Sequence, residues 1–163
     1  MKQLLFIFCF FYFSVCIAQS YSGKGDVKFQ VGAQFQEEGT GIGASLDFGF
    51  GENISLGVFS SYVLNVDEIL GAEFQDRFEL QGRFNAHLGN VLNIDPNFDV
   101  YPGLYVGLRN FGGHLGLRYF FTSGFGVFTE LRAPFSKYNT EALTPAEQLN
   151  NQFTMSVGAS FNL

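Results

Sequence analysis

The stretch Phe78-Glu-Leu-Gln-Gly-Arg-Phe-Asn-Ala-His-Leu88 alternates without a break. Phe78, Leu80, Gly82, Phe84, Ala86 and Leu88 share one face of an extended chain, while Glu79, Gln81, Arg83, Asn85 and His87, with Arg77 just before them, share the other. A helix would mix the two classes around its circumference, so only a strand with one apolar and one polar face accommodates this order.

The same period of two extends to both sides. Upstream, Val27, Phe29, Val31, Ala33 and Phe35 alternate with Lys28, Gln30, Gln34 and Gln36, and after a turn at Glu37–Thr40 the residues Ile42, Ala44, Leu46, Phe48 and Phe50 alternate with Gly41, Gly43, Ser45, Asp47 and Gly49. Gly51-Glu-Asn53 predicts a tight turn into a third strand through Ile54, Leu56, Val58, Ser60, Tyr62 and Leu64, and an acidic loop, Asp67–Gln75, leads to the stretch quoted first.

Downstream, Asp95-Pro-Asn97 leads into a fifth strand (Phe98, Val100, Leu104, Val106, Leu108), and Asn110–Gly113 is expected to turn the chain into a sixth (Leu115, Leu117, Tyr119, Phe121). Thr122-Ser-Gly124 turns it again into Phe125, Val127, Thr129, Leu131 and Ala133, and a polar loop containing Pro145 precedes Phe153, Met155, Val157, Ala159, Phe161 and Leu163. Pro102 has no amide hydrogen to give to a ladder, so a bulge or frayed rung is expected there. The expected fold is all-β, an eight-stranded antiparallel up-and-down transmembrane β-barrel.

Two features point the apolar face outward, towards lipid. The aromatic residues Phe29, Phe48, Phe50, Phe98, Tyr119, Phe121, Phe125 and Phe161 gather at one rim, and a looser set, Phe35, Tyr62, Phe78, Phe135 and Phe153, at the other. Aliphatic and small residues lie between them, the pattern of an apolar band between aromatic girdles. The opposite face carries mixed charge, Lys28, Asp47, Arg77, Glu79, Arg83, His87, Asp99, Arg109, Arg118, Glu130 and Arg132, which predicts a polar network across a narrow lumen. Simple hairpin registers place Lys28 one diagonal step from Asp47, His87 opposite Asp99, and Arg118 on or beside the pair position of Glu130. Eight strands enclose a space that side chains fill, so a plugged interior is expected rather than an open channel.

Composition agrees with a wall that faces something other than water. Charged residues make up 15% of the chain, against about 25% in an ordinary soluble domain, and 22 residues are Phe. Residues 1–18 read as a cleaved signal peptide, with Lys2, an apolar run from Leu4 to Ile17 and a small-residue exit at Ala18, leaving 19–163 as the barrel domain. Both cysteines, Cys9 and Cys16, fall in that leader, so no disulfide is expected in the mature chain. The net charge of −6 becomes about −7 once Lys2 is removed, which argues against nucleic acid as a partner.

Leu115-Gly-Leu-Arg-Tyr-Phe-Phe-Thr-Ser-Gly-Phe-Gly-Val-Phe-Thr-Glu-Leu131 and the ending Val157-Gly-Ala-Ser-Phe-Asn-Leu163 resemble the last strands of small outer-membrane β-barrel proteins of the flavobacterial kind. Tyr21-Ser-Gly-Lys-Gly-Asp26 and Tyr101-Pro-Gly-Leu104 are similar too, so the likeness spans nearly the whole mature chain. The resemblance implies an outer-membrane location, an architecture broadly similar to the transmembrane domain of outer-membrane protein A, and no catalytic residues. It also implies outer-membrane lipid and the barrel-insertion machinery as partners, the latter reading a C-terminal strand in which Phe161 faces outward.

Chemistry beyond this is sparse. Gly39-Thr-Gly-Ile-Gly-Ala-Ser45 lacks the lysine and the following helix of a phosphate loop, and His87 and His114 lie on different strands without metal-ligand spacing. Ser55, Ser61, Glu130 and His114 are polar without forming a recognisable nucleophile and base. Glu37, Glu38, Asp67, Glu68, Glu73 and Asp76 read as solvated loop charge. No enzyme activity, cofactor or metal is expected, and the ligand of the loops is unknown. The expected role is structural or surface interaction; the alternatives are a narrow solute channel and a soluble periplasmic barrel with its apolar faces turned inward around an apolar ligand.

Overall fold

The computed structural model describes residues 19–37, 39–139, 141 and 143–163; the expected signal peptide, with both cysteines, lies outside them. Eight antiparallel strands follow one another around a closed barrel: β1 (Val27–Gln36), β2 (Gly39–Gly49), β3 (Ile54–Asn65), β4 (Phe78–Ala86), β5 (Phe98–Gly107), β6 (Asn110–Phe120), β7 (Phe125–Lys137) and β8 (Thr154–Asn162). β1 closes on β8 with Phe29 opposite Phe161 and Ala33 opposite Val157. Closure leaves no strand edge open to pair with another chain.

The start of β1 and the end of β8 lie at one end of the barrel, with the connections 50–53, 87–97 and 121–124; β1, β3, β5 and β7 end at the other, here called the loop end. Strand lengths of 9 to 13 residues exceed the 5 to 6 typical of globular sheets.

The alternation sorts as the side-chain period requires. Phe48, Leu56, Val58, Leu104 and Val127 are exposed on the outer wall, whereas Lys28, Asp47, Glu79, Arg118 and Glu130 are buried inside. The apolar faces therefore point outward, which removes the arrangement that a soluble carrier of an apolar ligand requires.

Two local expectations need correction. Asn110–Gly113 is the beginning of β6, not a turn; the chain reverses at residues 108–109, with a register shift between Phe111 and Gly112. The glycines serve packing there, since a Cβ on Gly112 would run into the ring of Tyr105 and one on Gly113 into that of Phe135. At Pro102 the β4–β5 ladder stops at Asn85↔Gly103 and resumes with Leu88 N–H donating to Val100 O at 2.9 Å. The missing amide hydrogen costs one rung on the β4 side, while pairing to β6 through Pro102↔Leu115 is kept.

Candidate functional site

The interior is the only part of the barrel with dense ionisable groups among the described residues, and it is organised in layers. Nearest the termini, Lys28 forms an ion pair with Asp26 and donates to Asn162 Oδ1. Asp99 Oδ2 lies 2.8 Å from Arg118 Nη2 and 2.7 Å from His87 Nδ1. Ser55 Oγ is 2.8 Å from His87 Nε2 and accepts from Asn85 Nδ2 at 2.8 Å. His87 Nδ1 lies between the Asp99 carboxylate, which only accepts, and Arg118 Nη2 at 2.8 Å, which only donates, so the two contacts call for opposite tautomers of the imidazole.

The middle layer joins strands across the lumen. Arg83 lies between Asp47, at 3.2 Å, and Glu130, at 2.7 Å, and the second oxygen of Glu130 takes Arg132 at 3.1 Å. Arg132 also lies over the Phe59 ring, its Cζ 3.6 Å from the ring centre, and Arg118 over Tyr101 at 4.6 Å. Asn85 links the two layers, accepting from Arg83 Nε at 3.1 Å and lying 2.7 Å from His114 Nε2.

Each mouth is covered. At the termini end, residues 19–26 cross the opening, and Tyr21 stacks on His87 with ring centres 3.7 Å apart. Its hydroxyl donates to Ile54 O at 2.6 Å and lies 3.0 Å from Gly51 O. At the loop end, the turn Leu149–Asn151 sits in the mouth. Leu149 packs against Val63 and Val66, Gln36 donates to Leu149 O at 2.7 Å, and Asn110 donates to Asn150 O at 2.7 Å.

The Tyr21 anchor yields a pH test. Burial, then the charge of Asp26, pushes its phenol up to about 12. An acid whose folded value is raised contributes fully below its unfolded value of about 10, and that contribution is lost as pH rises to the folded value. Tyr21→Phe is expected to cost about 1 kcal/mol at neutral pH, with the gap from the natural protein narrowing above pH ~10. Unfolding midpoints measured against pH in detergent check this; a gap that persists unchanged at high pH would show that the phenol is not the anchor.

Most residues expected in the lumen are there: Lys28, Asp47, Glu79, Arg83, His87, Asp99, Arg118, Glu130 and Arg132 are all 5% exposed or less. Arg77 and Arg109 are not. Arg77 ends the short helix Phe74–Arg77 and donates to Ala72 O, because β4 begins one residue later. Arg109 occupies the turn before β6 and reaches Phe78 O and Gln75 O at the rim. Lys28 is directly opposite Asp47, closer than the diagonal step expected; on β7 Arg118 faces Phe128, one same-face step from Gly116, the pair position of Glu130, and on β5 it faces Asp99. Even so, Lys28 binds Asp26 while Asp47 meets Arg83.

Inward rings were missed: Phe59, Tyr101, Tyr105, Phe120 and Phe128 are buried in the lumen. Strand parity alone places each opposite its outward neighbours, so the signal was present. Tyr21, Asp26 and Leu149 lie in connections, where no period exists to read. The outer rim residues Phe29, Phe161, Phe125, Phe121 and Tyr119 form a continuous arc, with successive ring centres 6.1, 5.6, 6.2 and 5.5 Å apart. Phe48 and Phe50 are exposed at the same end, and Phe98 is half-buried there.

The N-terminal β-barrel domain of Pseudomonas aeruginosa OprF has a similar fold, with a TM-score of 0.59 and 14% identity over 87% of this chain and 100% of that one. No curated protein matches the chain. A family model matches residues 10–163, and the chain therefore belongs to a family of unknown function, DUF6646.

Proposed function

We propose that the protein is a non-conducting barrel of a Gram-negative outer membrane, of the flavobacterial kind, with a structural or surface-interaction role. The observation that carries this is the inversion of faces: an apolar outer wall with a continuous aromatic arc surrounds a charged interior, the distribution suited to lipid outside and a filled lumen inside. The loop end faces the exterior in this reading, and the insertion machinery and lipid are its partners. Similarity to the OprF barrel supports the fold on which it rests.

The layered ion pairs and the two covered mouths favour a closed lumen over a solute channel. Purified protein in planar bilayers is expected to pass no current above background, and its unboiled and boiled forms are expected to migrate differently on SDS gels. Stable channel steps would overturn the closed-lumen reading, and recovery from the soluble periplasm without detergent would overturn the membrane one.

Ser55, His87 and Asp99 have the connectivity of a hydrolase triad, yet we assign them a structural role. All three are 1% exposed or less, the Tyr21 ring covers the imidazole, and Arg118 Nη2, 2.8 Å from Nδ1, opposes a positive charge on the ring. The natural protein is expected not to react with a fluorophosphonate; labelling at Ser55 would sink this assignment.

A further inference from the structure

Of the three connections at the termini end, 50–53 and 121–124 are short turns, but 87–97 is longer and carries one helical turn, Gly89–Leu92. It exposes three aliphatic side chains within four residues, Val91 at 62%, Leu92 at 51% and Ile94 at 67%. We infer that Val91, Leu92 and Ile94 are an interfacial anchor that seats this end of the barrel in the headgroup region of the lipid leaflet beside it.

The connection is held by its own contacts, so the apolar tip is presented outward rather than left free to fold back. Leu92 N–H donates to Leu88 O at 2.8 Å and Asn93 N–H to Gly89 O at 3.0 Å, and Asn93, at φ 50°, ends the turn. Gly89 N–H donates to Asp99 Oδ1 at 3.0 Å, and a Cβ on Gly89 would run into Phe98 O, so the turn lies directly on the start of β5. Further along, Pro96 O accepts from Ser20 N–H at 2.8 Å.

The same contacts fix which way the tip faces. Asn90 Nδ2 donates to Tyr21 O at 3.2 Å, over the covered mouth. At about 100° per residue, Leu92 lies about 200° around the turn from Asn90, on the side away from the mouth. The apolar wall borders that side, since Phe84 and Ala86 precede the connection on the outward face and the girdle residue Phe98 follows it.

Charge and size then select lipid as the occupant. Between residues 88 and 97 the single ionisable side chain is Asp95, and its Oδ1 accepts from Asn97 N–H at 2.7 Å within the connection. Apolar groups at an interface are buried about 5–10 Å into the boundary between headgroups and acyl chains, and no unpaired charge has to be dehydrated to seat these three there. Three aliphatic side chains fall far short of the ~800 Å² per partner that a stable protein interface buries, which argues against a second copy or another protein.

The inference rests on the outer-membrane reading, because it needs a leaflet at this rim. The chain has no tryptophan, so Leu92→Trp places a single reporter at the tip and Leu131→Trp one at the middle of the outer wall. Each variant of the full chain, checked for the heat-dependent gel shift, is reconstituted into phosphatidylcholine vesicles brominated either near the headgroup or near the chain end. Leu92→Trp is expected to lose more emission to the shallow bromines than to the deep ones, and Leu131→Trp the reverse. Ile94→Trp carries the same expectation and replaces Leu92→Trp if that variant lacks the gel shift. Tip reporters that escape both lipids while Leu131→Trp is quenched, whether open to aqueous iodide or shielded from it by a second copy, overturn the anchor and leave the membrane reading standing. A Leu131→Trp that neither lipid quenches overturns the membrane reading, and the anchor with it.

Discussion

Glu130→Ala is expected to destabilise the barrel by about 3–5 kcal/mol, the cost of removing one partner from a buried ion cluster. Glu130 is the shared acceptor of two arginines, with Arg83 at 2.7 Å on one oxygen and Arg132 at 3.1 Å on the other. Without it, Arg132 keeps the Phe59 ring, and Arg83 keeps Asp47 at 3.2 Å and Asn85 Oδ1 at 3.1 Å, so two buried cations are left with one carboxylate. The penalty arises from the charges left behind rather than from the worth of the bonds removed. Guanidinium titration in detergent, followed by circular dichroism and the gel shift, measures it. A loss below about 1 kcal/mol would mean that water replaces the carboxylate and that the lumen is wetter than its packing indicates.

The second large effect separates the outer wall from the inner one. Leu131 lies at the middle of β7, outward and exposed, opposite Leu115 on one side and Met155 on the other. If this wall meets lipid, Leu131→Arg is expected to cost about 2–4 kcal/mol in bilayers, the penalty for a cation near the midplane. The neighbouring position is already arginine: Arg132 is satisfied because it points inward to Glu130. Comparing the two adjacent positions isolates the environment from the residue type. Folding of the variant into lipid vesicles and into detergent would be followed in parallel, and a loss below about 0.5 kcal/mol in vesicles, the usual limit for a water-exposed surface change, would place the wall in water.

Much of this architecture was readable from Phe78–Leu88 and its neighbours, because alternation is a local property of an extended chain. Once one residue of a strand is assigned to a face, the pleat assigns the rest, so Arg83, Glu130 and Asp99 fall together on the inside without any tertiary information. The same rule places Phe59 and Tyr101 there. The period says nothing beyond the strand ends. Arg77 and Arg109 follow the parity of their strands, yet each lies beyond a strand end, where the chain turns away and carries the side chain to the rim.

By itself the sequence determined the strand period, the number of strands and the two unlike faces, since these follow from side-chain order and backbone geometry. Only the tertiary structure decided who meets whom inside. Arg83 and Glu130 stand 47 residues apart on strands that do not pair, and they meet because closure brings β4 and β7 to opposite walls of one narrow lumen. Their contact depends on the diameter and stagger of the closed barrel, a property of all the strands at once. The same holds for Tyr21 and Leu149: each becomes a plug only because a mouth of the right width stands where its connection ends.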